Sequence, residues 1–307
     1  MRRVNLITPA LTFTSFNYVA RVTKTWMQLL NTKCLEPPVD VYITTGYMHG
    51  ALNIRIDDLA LTLRDAKPCD VAWLDTALLL DQVHRRVLER PAAIYTCSQW
   101  DRRKAEEKGV VVQGVIPRPF SPIAYMFRNR YKEKEFDVAI IGWHDKPDRK
   151  NFALMDEVVK RLHLKAIAVT NYKGCWQRID FMSIDDFAKF SLLARSKYLL
   201  HLSSSEGFGM PPLEAMAVGT PVIYLDRPAV CEFAVGYGIK PSRVYKVRHR
   251  LGDMELAEVD VDYACEVVKQ ALDRYHTSEY EELSEQAVQT ADMLLDRFLN
   301  WIRGLVK

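Results

Sequence analysis

Tyr198-Leu199-Leu200-His201-Leu202-Ser203-Ser204-Ser205-Glu206-Gly207-Phe208-Gly209-Met210-Pro211-Pro212-Leu213-Glu214-Ala215-Met216-Ala217-Val218-Gly219-Thr220-Pro221-Val222-Ile223-Tyr224-Leu225 reads as strand, glycine turn, short helix and strand. The apolar run Tyr198–Ser203 predicts a strand that delivers Glu206 to the carboxyl edge of a sheet. Gly207 and Gly209 let the backbone approach a ligand closely and take dihedrals closed to other residues. Pro211 and Pro212 suit the first positions of a helix, and Gly219 suits its end. A second strand follows at Pro221–Leu225. Strand, helix and strand in this order make a parallel βαβ unit.

Working outward, the same alternation fills the second half of the chain. Strands are expected at Phe136–Gly142 and Lys165–Thr170, with helices near Phe152–Leu162, Ile184–Arg195 and Tyr263–Arg274. The first half offers strands at Val4–Thr8, Val39–Thr45, Val71–Asp75 and Ala93–Cys97, with helical stretches around Asn17–Asn31 and Thr76–Glu89. Between the halves lie the proline-dense Ile116–Pro122 and the charged run Arg128–Glu135, which together read as a linker. The expectation is two doubly wound α/β domains facing each other across a cleft, where ligands sit at the carboxyl ends of the strands. The boundaries are 1–127 for an N-terminal domain, 128–280 for a C-terminal domain and 281–307 for a last helix. That helix carries an apolar stripe of Leu283, Ala287, Leu294, Phe298, Trp301 and Ile302, which suits packing against protein better than lipid.

Composition narrows the function. A net charge of +3 on 307 residues, with Lys and Arg spread among nearly as many carboxylates, excludes a concentrated nucleic-acid face. The six cysteines lie too far apart for a zinc knuckle or a CxxC pair, which leaves reduced thiols in a cytoplasmic protein. No apolar stretch is long enough to span a bilayer, so the protein is expected to be soluble, with at most peripheral membrane contact.

A glycine turn feeding a helix start offers N–H groups and a positive dipole end to an anionic diphosphate or to sugar hydroxyls. Glu206 and Glu214 can point into one crevice and accept hydrogen bonds from a diol. A plain reading stands beside this one: strand–turn–helix units need glycines anyway, and the dipole alone favours a glutamate in a first helical turn. Asp260-Val261-Asp262 has the form of a metal-binding DxD, but it precedes an amphipathic helix and is better read as its cap. The seven histidines show no ligand spacing, and His201 is expected to be packed beneath the turn. Ser203–Ser205 lack the glycine-flanked elbow of a hydrolase. Lys246–Arg250 reads as a short basic surface loop.

Residues 203–223 resemble the signature of retaining glycosyltransferases of the GT-B fold, family 4: Glu-Gly-Phe-Gly, seven residues between two glutamates, Glu-Ala-Met-Ala and Gly-x-Pro-Val-Ile. The resemblance implies that Glu206 lies beside the donor sugar and that Glu214 holds the ribose hydroxyls of the nucleotide. Backbone groups of Gly207, Phe208 and Gly209 would touch sugar and phosphates. Ile140-Ile141-Gly142 followed by Arg149-Lys150-Asn151 is similar to the family's diphosphate-binding strand and loop, with Lys150 on the family's lysine. Trp143 replaces the usual arginine after Gly142, so His144, Lys146 or Arg149 would supply the second charge. Phe298-Leu299-Asn300-Trp301 resembles the family's terminal tryptophan helix, which crosses back to the first domain. The first half matches less: Pro9–Ser15 replaces a glycine-rich loop, and Asp75 stands where a histidine is common, so a reduced N-terminal domain is implied.

The resemblance implies transfer of a sugar from a UDP- or GDP-type nucleotide sugar to an acceptor hydroxyl, with retention of anomeric configuration and without metal or cofactor. Glu206 and Lys150 would be catalytic; Glu214, Arg149, Gly142, Gly207, Phe208 and Gly209 would bind the donor. The acceptor (glycan, lipid, protein or small molecule) is not specified by any residue. Two alternatives stay open: a nucleotide-sugar epimerase on the same fold, and a non-catalytic nucleotide-sugar or glycan-binding module.

Overall fold

The computed structural model describes residues 2–7, 39–44, 48–58, 69–75, 93–181, 183–249 and 252–306. The helical stretches expected at 17–31 and 76–89, and the segment 9–15, lie outside them. The chain divides into two compact units. One comprises Met1–Pro122, Arg248–Met254 and Leu294–Lys307; the other comprises Ile123–Val247 and Glu255–Met293.

The first unit holds a six-stranded parallel sheet of β1 (Arg2–Ile7), β2 (Val39–Thr44), β3 (Leu52–Asp58), β4 (Val71–Asp75), β5 (Ala93–Thr96) and β6 (Gly114–Val115). Its order is β2-β1-β3-β4-β5-β6. Strand β3 is central, and Asn53 and Arg55 on it are buried, so it carries no clean apolar alternation. Helix α1 (Gln99–Glu106) is capped by Ser98, whose hydroxyl accepts from Asp101 N at 3.1 Å. The proline-dense segment is not an exposed linker. Pro117, Arg118, Pro119, Phe120 and Ser121 are buried, Arg118 lies 4.1 Å over the Trp73 ring, and Trp73 Nε1 donates to Ile116 O at 3.0 Å.

The second unit is built on β7 (Phe136–Ile141), β8 (Ala166–Val169), β9 (Gln177–Ile179), β10 (Ser196–His201), β11 (Val222–Leu225) and β12 (Gly236–Ile239), all parallel, in the order β12-β11-β10-β7-β8-β9. Four helices belong with it: α2 (Phe152–Arg161), α3 (Asp186–Ala194), α4 (Met210–Ala217) and α5 (Val261–Asp273). Val138, Ile140, Tyr198, Leu200 and Ile223 form the sheet's share of a core that α2 and α5 cover with Phe152, Val158, Val268 and Ala271. Chain order reverses between β7 and β10. In open α/β sheets ligands sit at such a switch point, outside the carboxyl ends of the two strands.

The last helix, α6 (Ser278–Val306), buries Ala287, Leu294, Phe298 and Ile302, with Leu283 and Trp301 half-buried. Within the first unit Phe298 sits 6.0 Å from Trp73, and Trp301 stands edge-on to Tyr95 at 5.1 Å. The stripe is thus covered by protein. Residues 246–249 are not a loop but the end of strand β13 (Arg243–His249), which pairs with β14 (Gly252–Glu258). No helix among the described residues is long and apolar enough to cross a membrane.

Candidate functional site

Two loops meet at the switch point. The loop after β7 carries Arg149, Lys150 and Asn151; the loop after β10 carries Ser203–Glu206. They are laced together. Ser204 N donates to Arg149 O at 2.9 Å, and Asn151 Nδ2 donates to Leu202 O at 2.9 Å and to Ser204 Oγ at 3.0 Å. Asn151 adopts a left-handed conformation (φ 56°) that ends the loop and opens α2. The α2 start is closed by Asp148, whose two carboxylate oxygens accept from Phe152 N and Ala153 N at 3.0 Å each.

This lacing brings the two predicted cations onto the predicted carboxylate. Lys150 Nζ pairs with Glu206 Oε1, and Arg149 Nη1 reaches Glu206 Oε2 at 3.4 Å while donating to Ser205 O at 2.7 Å. Lys150 and Glu206 are each only 12% exposed along their side chains, so the pair is largely withdrawn from water. Arg149 and Lys150 are therefore not solvated charges at a helix start. Of the three candidates for the charge missing at Trp143, Arg149 is the one in the cluster. Lys146 is exposed, and His144 is held by Asn171 through its backbone at 2.7 and 3.0 Å. Gly142 closes β7 in reach of the same lysine: a Cβ there would stand 3.7 Å from Lys150 Cδ and 3.4 Å from Phe152 Cζ.

Beneath the pair sits His201, at the end of β10, buried and with Nε2 3.3 Å from Glu206 Oε1. Burial opposes ionisation of Glu206. The charge of Lys150, the His201 contact and the charge of Arg149 outweigh that opposition and hold the carboxyl well below the usual carboxylate range. Burial pushes the His201 imidazole below its ordinary value, with Glu206 pulling the other way. Burial also lowers Lys150, against the attraction of Glu206. The cluster therefore sets an ionised carboxylate beside Lys150, Arg149 and an imidazole that resists protonation.

The glycine turn leads into α4 with Gly209 as its N-cap at φ 107°. An added Cβ there would meet Val230 Cγ2 at 2.7 Å, so the position excludes side chains on two counts. Phe208 turns inward and stacks on Phe233 at 4.6 Å, which leaves only its backbone for a ligand. The helix start is less rich in donors than the sequence suggests. Pro211 and Pro212 occupy two of the four positions whose N–H groups a helix leaves open, so only Gly209 and Met210 carry such groups. Glu214 lies beyond the first turn, so the dipole does not explain it. Its Oε1 accepts from Lys189 Nζ of α3 at 2.6 Å. Glu206 and Glu214 thus each have their own cation.

Asp260 caps α5 by accepting from Tyr263 N at 2.8 Å, and Asp262 turns away to Arg161 at 2.6 Å, as the cap reading of that triplet requires. His201 is packed beneath the turn, as the sequence reading expects. Lys189 escaped that reading; its signal in hindsight is a lysine on the apolar face of a short helix.

Comparison with known proteins identifies the fold and the family. The family model described as "Glycosyl transferases group 1" matches residues 174–240, which include both glutamates and the glycine turn. Among solved structures, sucrose-phosphate synthase from Thermosynechococcus elongatus superposes with a TM-score of 0.65 at 12% identity, covering 99% of this chain and 98% of that one. The pneumococcal O-GlcNAc transferase GtfA, solved in complex with UDP and GlcNAc, superposes with a TM-score of 0.58 at 14% identity. That match covers 83% of this chain, which spans 56% of the length of that one. At such identities these likenesses speak for the fold, a GT-B arrangement of two Rossmann-like units. Sequence goes further. "Putative glycosyltransferase 41" of Sulfolobus islandicus filamentous virus (isolate Iceland/Hveragerdi) is 30% identical over 277 residues, covering 84% of this chain and 79% of the relative. The chain belongs to the glycosyl transferases group 1 family.

Proposed function

We propose that this glycosyltransferase moves a hexose from a UDP- or GDP-type nucleotide sugar to an acceptor hydroxyl, with retention at the anomeric carbon and without a metal. The observation that carries the reading is the buried cluster of Lys150, Arg149 and Glu206 at the switch point, with Glu214 on the helix that follows. A diphosphate entering the crevice competes with Glu206 for Lys150. The ammonium passes to the departing phosphate oxygens, while Glu206 turns to the sugar. The bond between the anomeric carbon and the diphosphate oxygen breaks, and its electron pair stays with the diphosphate. The acceptor oxygen bonds to the same face of that carbon, and its proton goes to the departing phosphate oxygen. Lys150, Arg149 and the N–H groups of Gly209 and Met210 stabilise the developing charge. Glu206 acts as positioner and stabiliser of the sugar, Glu214 as acceptor for the ribose hydroxyls. Cys175, Cys231 and Cys265 are free thiols, which suits a cytoplasmic setting.

Trp143, where the family carries arginine, favours one second reading, a module that binds nucleotide sugar without turning it over. A thermal-shift panel of UDP, GDP, ADP and their sugar conjugates tests both. A nucleotide at 100 times its dissociation constant adds about 2.7 kcal/mol of stability. The expected result is stabilisation of the wild type by one base and loss of that shift in Glu214→Ala, with sugar transfer abolished in Glu206→Ala. Binding without transfer to any acceptor mixture would establish the module instead. No shift with any nucleotide would refute both.

A further inference from the structure

Lys189 is the one charged residue among the buried residues of α3, whose other inward side chains are Phe190, Leu192, Leu193 and Ala194. Only 6% of its side chain is exposed, yet its ammonium contacts Glu214 Oε1 at 2.6 Å and Asp186 Oδ1 at 3.1 Å. Buried ion pairs of this kind are poor stabilisers, because desolvation offsets most of the attraction and an apolar pair of similar volume serves stability as well. What such a pair does supply is direction: one carboxylate oxygen is taken, and the plane of the group is set. The chain just past α4 is also fastened to the far end of α3, where Thr220 Oγ1 donates to Leu193 O at 2.8 Å. Glu214 is thus gripped by a residue that cannot itself swing.

We infer that Lys189 is a positioning residue for Glu214 and through it sets the preference of the nucleotide site for ribose over 2′-deoxyribose. The inference rests on the reading of Glu214 as the ribose acceptor. A carboxylate in fixed orientation accepts from both hydroxyls of a diol, and loses a charge-assisted hydrogen bond when one hydroxyl is missing. Without Lys189 the carboxylate loses the cation that sets its plane, and its bond to the second hydroxyl of the diol weakens.

Isothermal titration of the full chain with UDP, GDP, dUDP and dGDP tests this. The wild type is expected to bind one ribonucleotide about tenfold more tightly than its 2′-deoxy form, the size of one hydrogen bond to a charged group. Lys189→Met is expected to weaken the ribonucleotide about tenfold, leave the deoxynucleotide near its wild-type affinity and bring the ratio close to one. Should that variant fail to fold, Lys189→Gln carries the test, with the same fall in ratio expected. A general loss of structure would weaken both nucleotides alike and leave the ratio standing. An unchanged ratio in a folded Lys189 variant, or a wild type that does not discriminate, overturns the inference and spares the donor reading. A wild type that binds no nucleotide overturns both.

Discussion

Arg128 grips Asp292 with two nitrogens, Nη1 at 2.9 Å from Oδ2 and Nη2 at 2.6 Å from Oδ1. The same guanidinium donates Nε to Ala217 O at 2.7 Å and lies 4.3 Å over the Tyr125 ring. A residue from the charged run after the proline-dense segment therefore closes the carboxyl end of α4, the helix of the signature, onto α6. A cation is favoured at that end of a helix, and the planar fork fits a carboxylate better than a lysine does.

Arg128→Ala should cost about 1–2 kcal/mol, since the pair is bidentate but Asp292 is partly exposed. A melting point lowered by roughly 2–8 °C would bear this out. Arg128→Lys should recover less than half of the loss. A wild-type melting point for Arg128→Ala would show the clamp to be ornamental.

Gly209→Ala should be severe for so small a change. The left-handed backbone and the 2.7 Å approach of Val230 Cγ2 each work against it, for about 1–3 kcal/mol together. Adding Val230→Ala relieves the steric part only, so the double variant should melt between the two. Recovery to the wild-type melting point would mean that backbone strain contributes nothing there.

His201 supplies a pH dependence with a definite sign. The unfolded chain takes up a proton near pH 6.5, the ordinary value for histidine, whereas the buried imidazole resists it. Its folded value is depressed, so its contribution to stability is complete above about pH 6.5 and is lost as the pH falls below that. Glu206, held far below the usual carboxylate range, stays ionised through this window. Calorimetry at pH 7.5, 6.5 and 5.5 should show a shallower fall for His201→Gln than for the wild type. Parallel falls would assign the acid sensitivity elsewhere.

Asp260→Ala should lower stability by about 1 kcal/mol, the usual worth of an N-cap, and leave sugar transfer intact in the presence of a chelator. Loss of transfer with chelator in the wild type would overturn the metal-free mechanism.

The sequence made the four inner strands of the second unit, β7, β8, β10 and β11, legible, because they are apolar and their turns carry glycine or proline; the short edge strands β9 and β12 went unread. Strand β3 was not legible, for a physical reason. Asn53 sits near its start and is buried, which no apolar pattern announces. It is tolerated because its side chain is saturated: Oδ1 accepts from Asn5 Nδ2 and Met48 N, and Nδ2 donates to Met48 O and Ala51 O, all within 3.0 Å. Strand β13 was hidden differently, by Arg243, Lys246 and Arg248, exposed charges on a strand that pairs only with its neighbour β14. In the site, the motif gave the residues but not their pairing. That Glu206 takes both cations of the other loop, and that Glu214 answers to Lys189, depends on which loops the sheet order brings together.

The lacing between the two site loops constrains any attempt to re-engineer the proposed donor site. Residues 202–206 cannot be transplanted alone. The peptide hydrogen of Ser204 and the carbonyls of Leu202 and Ser205 are all satisfied by Arg149 and Asn151. A borrowed segment inserted without residues 148–151 would arrive with those groups orphaned and its glutamate unmatched. The unit to move is the two loops together, more than fifty residues apart in the chain and joined by these hydrogen bonds.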